Sequence, residues 1–573
     1  MLRSLADRFH CSTVQRHLLF LAAALVTIAV VGYHFGTFDQ AVHIPFLKKY
    51  ADPSLFPGDA FFEMRYQHYS FFWFLFLPFY KLGVLEAGLF IVHVFITYFT
   101  YWALWTLSDT LFQNPLASLL GVLAFVIPHL GFAGFPVFEF SLLNRTFVLP
   151  FLLWAMILFL RRRYLLAFAL LGLMYNLHVI SVNFALAMLL FASLRDLRVV
   201  GWRNLFLGML LFVTAALPVL GWRVFSPPVA LRPNPEWFSI IWRGMVANLF
   251  FFAAPNFQIP LVVLCGLSAL ALFFVARRSA PSRPHDRTVT SFIYAVLIIL
   301  AVEGVTAQWY PVTLIVQSQI IRAGLFALVF GYLYFADYLA RLYRSKALSA
   351  FDFGVLTGAM VVSPIPAIPL IIRGLQHLVR AARWRSVVGG VVLVGSFAGS
   401  VTLAVSLHIW SPGIYVFARH TPWYDAQIWA HDHTPKDTVF ITPPHQWWFY
   451  DPEWRVYSER STVALWSDLL EIAIVPDYTV TWKERFETIA PGALARFRGD
   501  IFESREITAQ AFYSLPADDL LRAARRYGAS YLVVERPHTY DFPIAYENAQ
   551  FVIYRLPLGN TLGKGRACAD NLE

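Results

Sequence analysis

Long apolar blocks, separated by short polar and basic gaps, fill the first 408 residues of this 573-residue chain. A membrane-spanning helix needs about 20 apolar residues. The blocks that meet or approach this length are 17–34, 84–107, 116–134, 146–160, 164–176, 179–194, 204–223, 258–276, 290–308, 322–340, 353–362, 364–372 and 387–408. They predict a polytopic α-helical membrane protein with about 11–13 spans, the first of them uncleaved.

Two apolar stretches, 164–194 and 353–372, are too long for one span and too short for two. The sequence Asn-Leu-His178 interrupts the first stretch, and three prolines between 364 and 369 interrupt the second. Both are predicted to be hairpins of short or re-entrant helices. Such breaks are tolerated at membrane depth where protein or water satisfies the freed backbone groups.

The arginine and lysine clusters between the apolar blocks predict the topology. If both hairpins return to their starting side, every cluster falls on one face, which the positive-inside rule makes cytoplasmic. The N-terminus is then inside, and the segments outside are 35–83, 135–145, 224–257, 309–321 and everything after 408. We expect a multi-pass protein of the bacterial inner membrane with a periplasmic C-terminal part.

The chain changes character after residue 408. Apolar runs shorten and charge density becomes ordinary, so 1–408 is predicted to be the transmembrane domain and 409–573 a soluble periplasmic α/β domain. Buried strands are expected at 438–443, 530–534 and 548–555, and helices at 423–433 and 517–527. An aromatic segment, 447–450 with Trp454 and Trp466, could pack the domain core or rest at the membrane interface.

Composition narrows the class of protein further. The chain is 58% hydrophobic and 14% charged, which excludes a disordered chain, a nucleic-acid-binding module and an ordinary cytosolic enzyme. The first 408 residues carry 29 basic and 14 acidic side chains, whereas the remainder carries 16 and 21. The excess of basic side chains therefore lies in the predicted membrane part, where it indicates which loops face the cytoplasm. Three distant cysteines suggest neither a disulfide framework nor a zinc site, and no metal-ligand set is predicted.

The first outer loop, 35–83, holds the strongest candidates for chemistry. Asp39 follows the first span by about five residues, at the expected membrane–water boundary, where partial desolvation suits a carboxylate to general-base work. His43 lies four residues later and could share a helix face with Asp39. Asp59 is the second candidate acid, although its Pro-Gly-Asp context is also turn chemistry.

Further polar groups lie at the predicted outer ends of spans. Arg145, His178, Gln319 and Arg322 are the candidates for substrate binding. Ionisable groups at such depth are costly and commonly line a cavity or bind a ligand. A guanidinium such as Arg322, directly before an apolar span, suits bidentate phosphate binding. Arg145 could instead snorkel to lipid headgroups, and His178 could simply be a hydrogen-bonded residue at a helix break.

The layout resembles the GT-C superfamily of integral-membrane glycosyltransferases, which use polyprenyl-phosphate-linked sugars. Three patches carry the resemblance: the loop from Asp39 to Asp59, the Asn-Leu-His178 hairpin, and Gln317–Arg322 before a span. The resemblance implies an inverting transfer to a saccharide, lipid or protein acceptor on the outer face. Asp39, alone or with Asp59, would be the base, and Arg322 and Arg145 would hold the lipid phosphate. The aromatic segment of the tail could then stack on sugar faces.

The acid pair that the family usually carries in this loop is absent, because Phe38 and Gln40 flank Asp39. A metal-dependent mechanism is therefore in doubt, and a divalent metal ion stays open as a cofactor. Two alternatives to the transferase remain. One is a transporter or flippase for a lipid-linked saccharide, and the other is a non-catalytic scaffold or sensor with a periplasmic binding domain.

Overall fold

The structure is a computed structural model, and it describes residues 12–132, 136–244, 258–379, 382–406, 408, 410–446 and 451–557. The chain divides into two compact units. The first, here the membrane unit, comprises Met1–Phe35, Tyr69–Pro233 and Met245–Phe417. The second, here the sheet unit, comprises Gly36–His68, Asn234–Gly244 and Ala418–Glu573.

The membrane unit is almost entirely helical. Its α-helices are Thr13–Val31, Leu77–Lys81, Leu85–Phe112, Pro115–Leu123, Asn144–Leu160, Tyr164–Tyr175, Val179–Arg195, Leu197–Val200, Trp202–Val224, Gln258–Arg278, Asp286–Gln308, Thr313–Ser318, Gly324–Arg344, Ala350–Val362, Ala367–Leu378 and Ala382–Ser406, with 3₁₀ helices at Trp73–Phe76 and Ile320–Ala323. Strand β1 (Tyr33–His34) pairs in parallel with β2 (Ile414–Tyr415), which brings the end of the first long helix beside the residues after the last.

Seven helices in the described part of the chain are long and apolar enough to cross a membrane. They are Thr13–Val31, Leu85–Phe112, Trp202–Val224, Pro260–Arg278, Asp286–Thr306, Ile320–Arg344 and Ser386–Ser406. Four apolar helices are shorter: Asn144–Leu160, Tyr164–Tyr175, Val179–Arg195 and Ala350–Val362. The predicted class, a multi-pass helical membrane protein with a C-terminal α/β region, is confirmed. The predicted number of about 11–13 spans exceeds seven because the prediction also counted these short helices.

Both predicted hairpins are pairs of short helices. Tyr164–Tyr175 and Val179–Arg195 form the first pair, and Ala350–Val362 and Ala367–Leu378 form the second. The predicted span 116–134 is shorter than expected, since its helix ends at Leu123.

Gly172 allows two helices of the membrane unit to approach closely. A Cβ added at this position would collide with the backbone carbonyl of Phe212, on the facing helix Trp202–Val224. Small residues at helix contacts are a common device in membranes, where close backbone approach supplies the packing energy.

The sheet unit combines helices with one mixed sheet. Its α-helices are Asp39–Ala51, Pro235–Gly244, Pro422–His433, Trp454–Ser458, Leu469–Ile472, Thr479–Ile489, Ala493–Arg496, Ile501–Tyr513 and Ala517–Tyr527, with 3₁₀ helices at Ala60–Gln67, Trp466–Asp468 and Pro476–Tyr478. The strands are β3 (Val439–Ile441), β4 (Ser461–Thr462), β5 (Ala529–Glu535), β6 (Ile544–Glu547) and β7 (Phe551–Arg555). The three strands and two helices expected from the sequence are all present.

The sheet has the order β4-β3-β5-β7-β6. Strand β3 pairs in parallel with β4 and β5, while β7 pairs antiparallel with β5 and β6. Trp423, Phe440, Trp454 and Phe551 pack together in its core. Trp454 and Trp466 are buried, which agrees with core packing among the possibilities considered for the aromatic segment. Residues 447–450 lie outside the described part of the chain.

Membership of the sheet unit extends beyond the C-terminal tail. Gly36–His68, from the predicted first outer loop, and Asn234–Gly244, from the predicted loop 224–257, belong to it. The boundary drawn at 408 from the sequence stays a prediction of where the chain leaves the membrane.

Candidate functional site

Asp39 is the first residue of the helix Asp39–Ala51 and is half-buried. The preceding residue, Phe38, has φ 53° and ψ −131°, a conformation that non-glycine residues rarely adopt. Such backbone strain concentrates at functional sites, where the surrounding structure maintains it. His43 lies one turn further along the same helix, as the spacing predicts.

Three side chains of the sheet unit converge near Asp39. His43 Nδ1 lies 3.4 Å from Glu471 Oε1, and His68 Nδ1 lies 3.2 Å from Glu471 Oε2. The two imidazole rings contact each other edge to face, with centroids 4.8 Å apart. His43 and Glu471 are buried, and the His68 side chain is 14% exposed. We call His43, His68 and Glu471 the histidine–glutamate cluster.

Electrostatics within the cluster follow from burial and pairing. Burial favours the neutral form of His68, but the Glu471 charge outweighs it and raises the His68 pKa. Burial opposes ionisation of Glu471, yet His68 and His43 together hold its pKa below the usual range. The negative charge of Asp39 acts on Glu471 in the opposite direction and raises its pKa, as the smallest of these effects. Such a group can bind a cation or exchange protons.

Asp59 lies in a different and fully buried cluster. The Arg455 guanidinium donates from Nε to Asp59 Oδ2 at 2.7 Å and from Nη1 to Asp468 Oδ1 at 2.8 Å. Glu453 Oε1 is 3.3 Å from the same Nη1. Asp59 also accepts hydrogen bonds from the backbone N–H groups of Phe61 and Thr462. The structure thus gives Asp59 an ion-pair role that was not expected, and its catalytic role stays an untested prediction.

The three carboxylates around Arg455 do not share its charge equally. Burial raises the pKa of Glu453 to about 8, despite the attraction of Arg455. Burial also raises the pKa of Asp468, again against Arg455. With Glu453 protonated at neutral pH, the cluster approaches one guanidinium shared by two carboxylates. Buried ion pairs are tolerated when hydrogen bonds satisfy them in this way.

The remaining candidates belong to the membrane unit. Arg145 makes a bidentate ion pair with Glu139, from Nε to Oε1 at 2.7 Å and from Nη2 to Oε2 at 2.6 Å. This pairing was not predicted, and it fixes the guanidinium in one plane. A phosphate held by Arg145 would have to share it with Glu139.

His178 caps the helix Val179–Arg195. Its Nδ1 accepts a hydrogen bond from the backbone N–H of Ser181 at 3.2 Å, which satisfies one of the free donors at the helix start. Neighbouring Asn176 bridges to another helix, donating to Ala215 O at 2.8 Å and accepting from Val219 N at 3.1 Å. The residues at this hairpin break therefore have structural partners.

Gln319 and Arg322 lie at the start of the helix that ends at Arg344. Gln319 adopts the left-handed conformation, and its carbonyl accepts from the N–H of Arg322 at 3.1 Å. Gln319 is buried, and its Oε1 has no hydrogen-bond partner among the residues that the structure describes. A buried acceptor of this kind can receive a hydrogen bond from a ligand.

Glu303 is a candidate that sequence reasoning missed. It is a buried acid inside the candidate span Asp286–Thr306 and accepts from the backbone N–H of Ile320. A single acid in an apolar run was a signal that could have been read, since such residues are expensive in a membrane. His68 and Glu471 were also missed, and their separation of 403 residues offers no local pattern.

Comparisons with known proteins add the following. A family described as a domain of unknown function, DUF6798, matches residues 421–489. No curated protein matches the chain. Among solved structures, the archaeal oligosaccharyltransferase AglB from Archaeoglobus fulgidus, in complex with an inhibitory peptide and a dolichol-phosphate, is 12% identical with a TM-score of 0.47. That match covers 91% of this chain and 69% of that chain.

ArnT from Cupriavidus metallidurans, bound to undecaprenyl phosphate, is 13% identical with a TM-score of 0.48. That match covers 95% of this chain and 98% of the ArnT chain. At this identity and TM-score, the roles of individual residues have to be argued from the chain itself.

Proposed function

We propose that the protein is a membrane glycosyltransferase that moves a sugar from a polyprenyl-phosphate-linked donor to a saccharide, lipid or protein acceptor, with inversion at the anomeric carbon. The transfer would take place at the outer face of a bacterial inner membrane. The observation that carries the proposal is the position of Asp39, a half-buried carboxylate at a helix start beside other ionisable groups.

The proposed reaction is a single in-line displacement. The oxygen of an acceptor hydroxyl forms a bond to the anomeric carbon, and Asp39 accepts the proton of that hydroxyl. The bond from that carbon to the phosphate oxygen breaks, and its electron pair leaves with the polyprenyl phosphate. Asp59, bound to Arg455, supports the fold of the same unit rather than the proton transfer.

In the membrane unit, we propose Arg322 as the residue that binds the lipid phosphate, with Gln319 as a neighbouring hydrogen-bond acceptor. Arg145 contributes only if Glu139 shares its guanidinium. We propose that His178, which caps the helix Val179–Arg195, keeps the hairpin in the shape that substrate binding requires. These roles rest on the sequence and on the chemistry of each side chain.

Replacing Asp39 tests the base. In Asp39→Asn, removal of the proton acceptor should lower turnover of polyprenyl-phosphate sugars at least roughly 10²-fold, measured as released polyprenyl phosphate. Donor-induced thermal stabilisation should persist. The matched control is Asp52→Asn, because Asp52 lies in the same segment and pairs with Lys436 at 2.9 Å on the surface. Full activity in Asp39→Asn would show that the assigned base is wrong.

Replacing Arg322 tests the donor site. A lipid-linked sugar that binds the folded state should raise the melting temperature of the purified chain, and Arg322→Ala should lose most of that rise. Arg344→Ala is the control, since Arg344 is exposed at the other end of the same helical segment. Stabilisation without turnover would favour a carrier of lipid-linked saccharides. No stabilisation by any such lipid would favour a ligand sensor.

A further inference from the structure

We propose that His43, His68 and Glu471 form a binding site for one divalent transition-metal ion, of which Zn²⁺ is the representative. The inference rests on the geometry of the sheet unit and is independent of the proposed transferase activity. All three ligand atoms lie within 4.8 Å of one another.

Distances within the cluster fit a small metal ion. Zinc binds imidazole nitrogen and carboxylate oxygen at about 2.0–2.2 Å in a tetrahedron, so neighbouring ligand atoms are about 3.3 Å apart. The two histidine-to-glutamate distances, 3.4 Å to Oε1 and 3.2 Å to Oε2, are close to that edge, one for each oxygen of the Glu471 carboxylate. A metal ion would be held either by both carboxylate oxygens or by one of them after a small rotation of the side chains, and His68 is the more exposed of the two histidines.

The ligand types select the class of metal. Two imidazoles and one carboxylate suit Zn²⁺ and its neighbours Co²⁺ and Ni²⁺, whereas Mg²⁺ and Ca²⁺ require oxygen ligands. Three protein ligands leave one position of the tetrahedron for water or a substrate oxygen, the arrangement of open zinc sites. The nearby charge of Asp39 adds attraction for a cation.

Surrounding contacts hold the ligands in place. His43 is on the helix Asp39–Ala51, His68 follows the 3₁₀ helix Ala60–Gln67, and Glu471 is on Leu469–Ile472. Trp237 donates from Nε1 to the carbonyl of Ile472 at 2.7 Å, next to Glu471, and fixes that short helix. Outer contacts of this kind orient metal ligands and sustain affinity.

The alternative is a cluster held by a proton, in which Glu471 simply pairs with protonated histidine. The two explanations differ in metal content. The full chain, purified in detergent and stripped with a chelator, should bind one Zn²⁺ per molecule and show the visible absorption of four-coordinate Co²⁺ when cobalt is added. Zn²⁺ should also raise its melting temperature.

Ligand variants decide between the two. His43→Gln, His68→Gln and Glu471→Gln should each weaken Zn²⁺ binding at least about tenfold and remove the Zn²⁺-dependent rise in melting temperature. The control is His431→Gln, because His431 also lies beside carboxylates of the sheet unit, Asp432 and Glu459. It should bind Zn²⁺ as the unaltered chain does.

Three results would overturn the proposal: no Zn²⁺ or Co²⁺ binding by the unaltered chain, binding that all three ligand variants retain, or binding of Mg²⁺ in preference to Zn²⁺. If a variant does not fold, the chelator experiment on the unaltered chain still decides, because a proton-held cluster would melt at the same temperature with and without Zn²⁺. Loss of transferase activity alone would not bear on the metal site.

Discussion

Single residues in this protein owe their chemistry to partners far away in the chain. Asp39 and His43 could be identified from the sequence because they are one helical turn apart and follow a span. Asp59 was equally visible, but its pairing with Arg455 was not, since 396 residues separate them. Glu471 is unremarkable in sequence and becomes a candidate ligand only when the fold places two histidines beside it.

The Arg455 cluster makes stability depend on pH through Glu453. Its pKa, about 8 in the folded chain, lies above the usual value for glutamate, so the folded state retains a proton that the unfolded state releases. The stability of the folded chain should therefore fall as pH rises from about 4.5 to 8 and then level off. Glu453→Gln, which copies the protonated shape, should abolish this part of the loss.

Melting temperatures of Glu453→Gln and the unaltered chain, measured from pH 5 to 9, test this expectation. The advantage of the variant should grow up to about pH 8. Glu459→Gln is a useful contrast: burial opposes its ionisation, but His431 and Lys48 outweigh it and lower its pKa to about 2. That variant should lose stability at neutral pH. An advantage for Glu453→Gln that is the same at every pH would contradict the assignment.

At the scale of elements, apolar pattern predicted most helices and three of the strands of the sheet. The pattern was ambiguous for apolar helices that are shorter than an ordinary span. Asn144–Leu160 and Tyr164–Tyr175 are apolar but below the length of an ordinary span, so counting apolar blocks cannot tell a short span from a buried helix. The strands β4 and β6 lack a long apolar run, because β4 has two residues and three of the four in β6 are exposed.

Close packing of two membrane helices depends on Gly172. Gly172→Ala would place a methyl group against the Phe212 carbonyl, a rigid backbone atom, and should destabilise the chain by about 1–3 kcal/mol. Gly221→Ala is the matched control, because a Cβ at Gly221, on the same facing helix, meets nothing within 4 Å. Melting temperatures in detergent should fall for the first variant and hold or rise for the second. Equal melting temperatures would show that the helices can separate at little cost.

For the whole molecule, the sequence indicated a tail large enough to fold alone, whereas the sheet unit also takes in two earlier segments. Arg455 loses Asp59 if the tail is isolated, Ile472 loses the hydrogen bond from Trp237, and Glu471 loses both histidines. These contacts link distant segments, so no local pattern could have predicted them.

An isolated fragment of residues 418–573 should therefore be markedly less stable than the same fragment joined by a flexible linker to residues 36–68. Leaving a buried charge without one of its partners costs about 3–5 kcal/mol, out of a typical 5–15 kcal/mol for a domain. Thermal melts followed by circular dichroism provide the measurement. If both fragments melt cooperatively at the same temperature, the earlier segments are dispensable.

The pairing of Asp59 with Arg455 also dictates an order of events during synthesis. A ribosome makes the segment 36–68 early, and almost the whole helical part of the chain must be translated before Arg455 exists. Until then Asp59 and the two histidines lack these partners, while six of the seven candidate spans of the described residues are synthesised. Contacts of such long sequence separation fold slowly and leave apolar surface open to wrong partners. We therefore expect the segment 36–68 to be the part of the sheet unit most open to proteolysis and wrong contacts while the chain is being made.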